Sequence, residues 1–137
     1  MYQTIMTPVD LEHRDQLKNA LAIAADLAKH YGAALYVVGV TTSAPSAVAH
    51  NPTEYGEKLD AFAKEQTALH GVDVKALAKV SHDPAADLDD TLEKAASEID
   101  SDLIVMASHV PGFTDYIFAS RAGYLASHSH LSVFVVR

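Results

Sequence analysis

The sequence predicts an α/β fold in which an open parallel sheet carries helices on both faces. Three observations point to it. Short apolar runs alternate along the whole chain with segments of helical periodicity. Two of those runs, residues 35–40 and 103–107, are apolar without alternation, as strands covered on both faces are. The length of 137 residues, with no repeat and no Pro-, Gly- or Ser-rich tract, fits a single domain, residues 1–137, able to bury about two-thirds of its unfolded surface.

Residues 3–9 form a short β-rich run stopped by Pro8 and Asp10. Leu17, Ala20, Leu21, Ala24, Leu27 and Ala28 then recur at helical spacing and make one apolar face, which Gly32 ends. Residues 35–40 complete a βαβ unit, and residues 41–52, with their Ser, Ala, Pro and Asn, form a loop at the carboxyl end of that strand, placed to act as a lid. Tyr55, Leu59, Phe62, Gln66 and Leu69 mark a second helix, closed by Gly71. Val72, Val74, Ala76, Ala78 and Val80 alternate with Asp73, Lys75, Leu77 and Lys79, the pattern of an edge strand with one wetter face.

After the turn at Asp83-Pro84, Leu88, Leu92, Ala95, Ala96 and Ile99 define a third helix, and the wholly apolar residues 103–107 form a strand suited to the sheet centre. A last helix is expected to start near Ser120, with Ala122, Leu125 and Ala126 inward. Residues 133–136, Val-Phe-Val-Val, close the sheet. That strand comes last and is therefore an edge, yet it lacks the alternation, Lys or Pro that blunts an exposed edge, so pairing with a second copy across a two-fold axis is expected.

Composition narrows the function. Ten Lys and Arg against eighteen Asp and Glu leave a formal charge of -8, which argues against a nucleic-acid surface. Any anion must then be held by local donors: main-chain N–H groups, a helix N-terminus and one Arg. The absence of cysteine excludes disulfides, thiolate metal sites and cysteine nucleophiles. The start of the chain lacks the basic flank and apolar core of a signal peptide, and no apolar run is long enough to span a bilayer, so a cytoplasmic protein without membrane insertion is expected. The GxxxxGK[ST] signature is missing, no GxGxxG follows a strand and no Ser/His/Asp ordering stands out. A binding protein without catalytic residues is expected rather than an enzyme.

Four stretches carry a family likeness: Ile5-Met-Thr-Pro-Val-Asp10, Val38-Gly-Val40, Asp102-Leu-Ile-Val-Met-Ala-Ser-His109, and Ala119-Ser120 through Ser132-Val-Phe-Val-Val-Arg137. In this order and spacing the chain resembles the universal stress protein family over essentially its whole length, and the loop from Ala107 to Ser120 is most similar to the F- and G-type subgroup. The resemblance implies an adenine nucleotide alpha hydrolase-like fold: an open five-stranded parallel sheet in the order 3-2-1-4-5. It also implies a regulatory role in the stress response and a homodimer through Ser132–Val136. Nucleotide-binding relatives place adenine against the ends of the first two strands, which here are Pro8, Val9, Asp10 and Val40. Ribose and phosphates would lie along Met106, Ala107, His109, Val110, Ala119, Ser120 and Arg121, the ligand being ATP with Mg. The first and fourth strands flank the point where strand order reverses, and in open α/β sheets ligands bind there.

The loop departs from the family's Gly-x2-Gly-x9-Gly-Ser/Thr pattern, since Ala107, Val110 and Ala119 stand at the three glycine positions. Where a left-handed backbone is needed, a non-glycine residue costs about 1–2 kcal/mol. Passed wholly to binding, one such cost weakens it by about five- to thirty-fold. Ser120 and Arg121 offset this as phosphate donors at a helix N-terminus, whereas Asp115 opposes it. The expectation is reduced affinity for an adenine nucleotide. The alternative is a dimeric scaffold that has lost the nucleotide and acts through contacts with a client protein.

Simpler roles stand beside these. Asp10 and Ser120 suit N-caps, and no carboxylate at fixed spacing orients His109 as a base. His128 and His130 are too few for a metal site, and no metal is assigned. Tyr2, Tyr36 and Phe134 are read as core or interface aromatics.

Overall fold

A computed structural model describes residues 1–108, 122–127 and 129–137. Strand β1 (Thr4–Val9) leads through a 3-10 turn (Leu11–Leu17) into helix α1 (Lys18–Tyr31). Strand β2 (Ala34–Thr41), α2 (Pro52–His70), β3 (Val74–Val80), α3 (Pro84–Glu98), β4 (Leu103–Ala107) and β5 (Ser132–Val136) follow, and residues 122–127 are helical. All strand pairs are parallel, as the unbroken apolar runs predict, and their order β3-β2-β1-β4-β5 is the one the family resemblance implies.

The helices stop where local chemistry stops them. Gly32 and Gly71 close α1 and α2 in the left-handed region that a glycine enters without a Cβ penalty. Asn51 and Asp83 cap α2 and α3 through their side chains, each followed by a proline in the first turn. At the opposite end of the sheet the Asp102 carboxylate accepts from the Gln3 and Thr4 amides at 2.9–3.2 Å, tying the start of β1 to the start of β4.

Two apolar cores sandwich the sheet. Ile5, Val9, Leu35, Val37 and Val105 pack against α1 and α2 on one face. Met6, Val38, Ile104 and Met106 pack against α3 and the helical residues Ala122 and Leu125 on the other. Alternate residues of β1 thus enter different cores, which is why the central strands show no polar alternation. The helices fall on opposite faces because the chain steps outward from β1 to β3 and then crosses back to β4.

Several expectations are corrected. Leu69 is 70% exposed at the end of α2, and Ala126 is exposed instead of facing inward. On β3 the alternation fails after Ala76: Leu77 joins the α3-side core while Val80 is 54% exposed, because an edge strand leaves the cover of both helices toward its end. The β2–α2 loop is not a free lid, since Ala49 is buried in the core and the Ser46 amide donates to its carbonyl at 2.8 Å. Tyr2 keeps the core role expected of it: part-buried, it packs against the α1-side core, edge-on to Tyr31, and donates its hydroxyl to Ser132 Oγ at 2.9 Å. Phe134 is 42% exposed, which excludes a core role in the single chain.

Candidate functional site

Strand β1 pairs with β2 in continuous register as far as Val9 opposite Gly39. On its other side the bridged pairs with β4 are Ile5 with Leu103 and Met6 with Ile104, lower in both strands. Beyond Met6 the tips of β1 and β4 part, and the crevice between them lies where strand order reverses. Among the described residues, pairing is thus continuous on the β2 side of β1 and stops at Met6 on its β4 side.

The structure brings Pro8, Val9, Asp10 and Val40 to one end of the sheet, on the adjoining tips of β1 and β2, with Met106 and Ala107 at the tip of β4. Pro8, Asp10 and Val40 are partly exposed there, while Val9, Met106 and Ala107 are buried. The burial of Met106 and Ala107 leaves their main chain, rather than their side chains, as what the β4 tip offers to the crevice. The Ser108 amide donates to the Val136 carbonyl at 2.8 Å, so the β4 tip is also fixed to β5. His109, Val110, Ala119, Ser120 and Arg121 lie outside the described residues, as does His128.

Asp10 realises the simpler reading and leaves room for the other. It caps the 3-10 turn: one carboxylate oxygen accepts from the Glu12 amide at 3.0 Å, and the other meets His13 Nδ1 at 2.9 Å. Its side chain keeps 26% of its exposure, so it borders the crevice as a capped, oriented carboxylate. The hydrogen bond with Asp10 raises the pKa of His13 above its ordinary value, with the charges of Asp10 and Glu12 acting the same way and burial opposing them. Asp10, Glu12 and His13 bring one possible ligand atom each within 4.8 Å of one another. Neither Glu12 nor His13 appears among the residues singled out from the sequence; the Asp-x-x-His spacing on a turn was the available signal.

Tyr55 was read from the sequence only as an apolar position of α2, and the structure gives it a second aspect. It is 4% exposed and packs under β2 so closely that a Cβ on Gly39 would lie 2.3 Å from the phenolic oxygen. A glycine inside a strand marks such a close approach. Burial, with the charge of Asp10 nearby, raises the phenol's pKa and keeps it protonated. A separate open cleft of about 500 Å³ lies beside α2, lined by Leu11, Val48, Lys58 and Phe62 together with the Arg14–Glu65 ion pair.

The parallel sheet, its helices on both faces and its parted tips define a switch-point α/β protein, a class that binds ligands at the carboxyl ends of its strands. The description "Universal stress protein family" matches residues 1–137. The chain belongs to that family, as its four sequence stretches suggested. It is similar to a protein called universal stress protein G from Salmonella typhimurium, 26% identical with all of both chains covered. Its fold is shared by a universal stress protein crystallised with cAMP (20% identity, 99% and 97% of the two chains, TM-score 0.70). It is shared too by one from Archaeoglobus fulgidus in complex with dAMP (21% identity, 99% and 98%, TM-score 0.66).

Proposed function

We propose that the protein is a regulatory adenine-nucleotide-binding protein of the stress response, acting in the cytoplasm as a homodimer and without catalysis of its own. One observation carries the reading. Among the described residues the β1–β4 pairing stops at Met6 and Ile104, at the reversal of strand order, and Pro8, Val9, Asp10 and Val40 sit together beside that place. The relatives crystallised with cAMP and dAMP support an adenine nucleotide as the ligand class. ATP with Mg is the member proposed here, at reduced affinity because Ala107, Val110 and Ala119 replace the family's glycines.

The residues present fit the base better than the metal. The β1 and β2 tips offer main-chain groups and a partly exposed apolar Val40, whereas both oxygens of Asp10 are already engaged. Bound nucleotide would regulate only by favouring one of two states of the protein, through a difference in its affinity for them. Acid extraction of freshly purified protein, followed by nucleotide chromatography and calorimetric titration with Mg-ATP, tests the reading. Retained nucleotide or saturable heat is expected. Neither retained nucleotide nor heat from ATP, AMP or cAMP overturns it.

A second reading rests on β5. Phe134 and Val135 are 42% and 41% exposed on a strand whose outer edge is unpaired among the described residues. That edge supports a dimer built through Ser132–Val136, and with the nucleotide lost it would leave a scaffold that works through a client protein.

A further inference from the structure

We propose that Asp10, Glu12 and His13 form a binding site for a first-row transition-metal dication on the turn that follows β1. The site needs no nucleotide, and it differs from the Mg that would accompany ATP because an imidazole takes part. Each of the three residues brings one possible ligand atom within 4.8 Å of the other two. Asp10 Oδ2 and His13 Nδ1 lie 2.9 Å apart. Ligand atoms bound at right angles, about 2.1 Å from an ion, are separated by about 3.0 Å, so this pair already has the spacing of two neighbouring ligands of an octahedral ion. Their side chains are 26% and 28% exposed, which leaves the pair open to solvent on one side.

The main chain holds these atoms in place before any ion arrives. Asp10 Oδ1 accepts from the Glu12 amide at 3.0 Å, and the His13 amide donates to the Asp10 carbonyl at 3.1 Å. Residues three apart in a 3-10 turn lie one above the other, so the carboxylate and the imidazole share one side. Glu12 is exposed and closes on the ion by rotation of its side chain. Two carboxylates alone would be no more than a solvated acidic patch; the imidazole nitrogen is what suits a transition metal and not Mg. The two carboxylates and the net charge of -8 attract a dication, while the adjoining Arg14 is turned to Glu65 and the Phe62 ring. A comparable contact, His50 Nδ1 with Glu54 at 3.0 Å, is joined by no third ligand atom among the described residues.

The test is calorimetric titration of the untagged protein with NiCl2 at pH 8, repeated on Glu12→Gln, His13→Gln and His50→Gln, each checked for folding by circular dichroism. One equivalent of Ni²⁺ is expected to bind the unchanged protein and to raise its unfolding temperature. His13→Gln should weaken binding by about tenfold or more, since loss of a group that merely orients a ligand already costs about that much. Glu12→Gln should weaken it as well, His50→Gln should leave it unchanged, and excess Mg²⁺ should not displace the ion. In the unchanged protein, substoichiometric Ni²⁺ should broaden the NMR signals of the His13 ring before those of any other histidine, a readout that needs no variant. Absence of saturable binding overturns the proposal. Affinity unaltered by Glu12→Gln or by His13→Gln, or first broadening at another histidine, also overturns it, the ion then being an adventitious one elsewhere on the surface. Displacement by Mg²⁺ overturns it too, because the imidazole would then contribute nothing.

Discussion

Substitution of Gly39 by alanine tests the packing that puts Tyr55 at the strand tips. Gly39 has no positive φ; among the described glycines only Gly32 and Gly71 do. Its backbone therefore accepts any residue, and alanine in place of glycine inside a strand should stabilise by about 0.5–1 kcal/mol through reduced chain entropy alone. The structure predicts the opposite sign. The new methyl would lie 2.3 Å from the Tyr55 hydroxyl oxygen and 2.9 Å from Cε1, well inside van der Waals contact. Tyr55 is buried between Gly39 and the rest of α2, and overpacking of a filled core costs about 1–3 kcal/mol.

Gly39→Ala should thus be net destabilising by about 1–2 kcal/mol in urea unfolding at pH 7, with the slope unchanged. A cycle with Tyr55→Leu isolates the cause. With the ring gone, Gly39→Ala should become neutral or stabilising, giving a coupling of about 1–3 kcal/mol. If Gly39→Ala stabilises the protein with Tyr55 in place, or the two changes add, the close approach is not what the glycine is for.

Three further predictions follow from other contacts. Asp102→Ala removes the acceptor of the Gln3 and Thr4 amides and should cost about 1.5–3 kcal/mol in chemical unfolding, with early loss of amide-exchange protection at the start of β1. Phe134→Lys places a charge on the exposed face of β5 and should convert a dimer to a monomer by light scattering, without loss of helical signal in circular dichroism. The Asp10–His13 pair should make stability depend on pH. His13 has a raised folded-state pKa, so its contribution is fully present below its unfolded value of about 6.5 and is lost as pH rises through the folded value. His13→Gln should flatten that segment of the stability profile, and an NMR titration of His13 should show a midpoint above that of a free imidazole. A midpoint at or below the free value refutes it.

Legibility followed the physics of each segment. The central strands were readable because their unbroken apolar runs can only be covered on both faces, and Leu35, Val37, Ile104 and Val105 are fully buried. The strand order came from the family resemblance, since apolar periodicity says which residues are inside but not which strands are neighbours. Exposure at element ends was less legible. Leu69, Val80 and Ala126 follow the correct period and still face solvent, because their helix or strand has run past the neighbour that would cover them. For the candidate site, the family resemblance supplied Pro8, Val9, Asp10 and Val40 and the switch-point rule supplied their location, whereas the approach of Tyr55 to Gly39 depends on a contact between segments that no local pattern encodes.

The proposed division of the site between the two halves of the sheet bears on how a loop with Ala107, Val110 and Ala119 at the three glycine positions would still serve. In the described residues the β1–β2 half is rigid: its register is continuous, Asp10 is held by two hydrogen bonds, and Tyr55 is wedged under Gly39. If the base binds there as proposed, a preorganised pocket would lose little entropy on binding and so retain affinity that a poorer phosphate loop would forfeit. The balance should then differ from that of a ligand gripped chiefly by its phosphates. Shortening the phosphate chain from ATP to AMP should weaken binding by less than exchanging adenine for hypoxanthine does. In calorimetric titrations of ATP, AMP and inosine triphosphate, a larger loss from removing phosphates than from changing the base would show that the loop dominates the site and that the β1–β2 half is a passive wall.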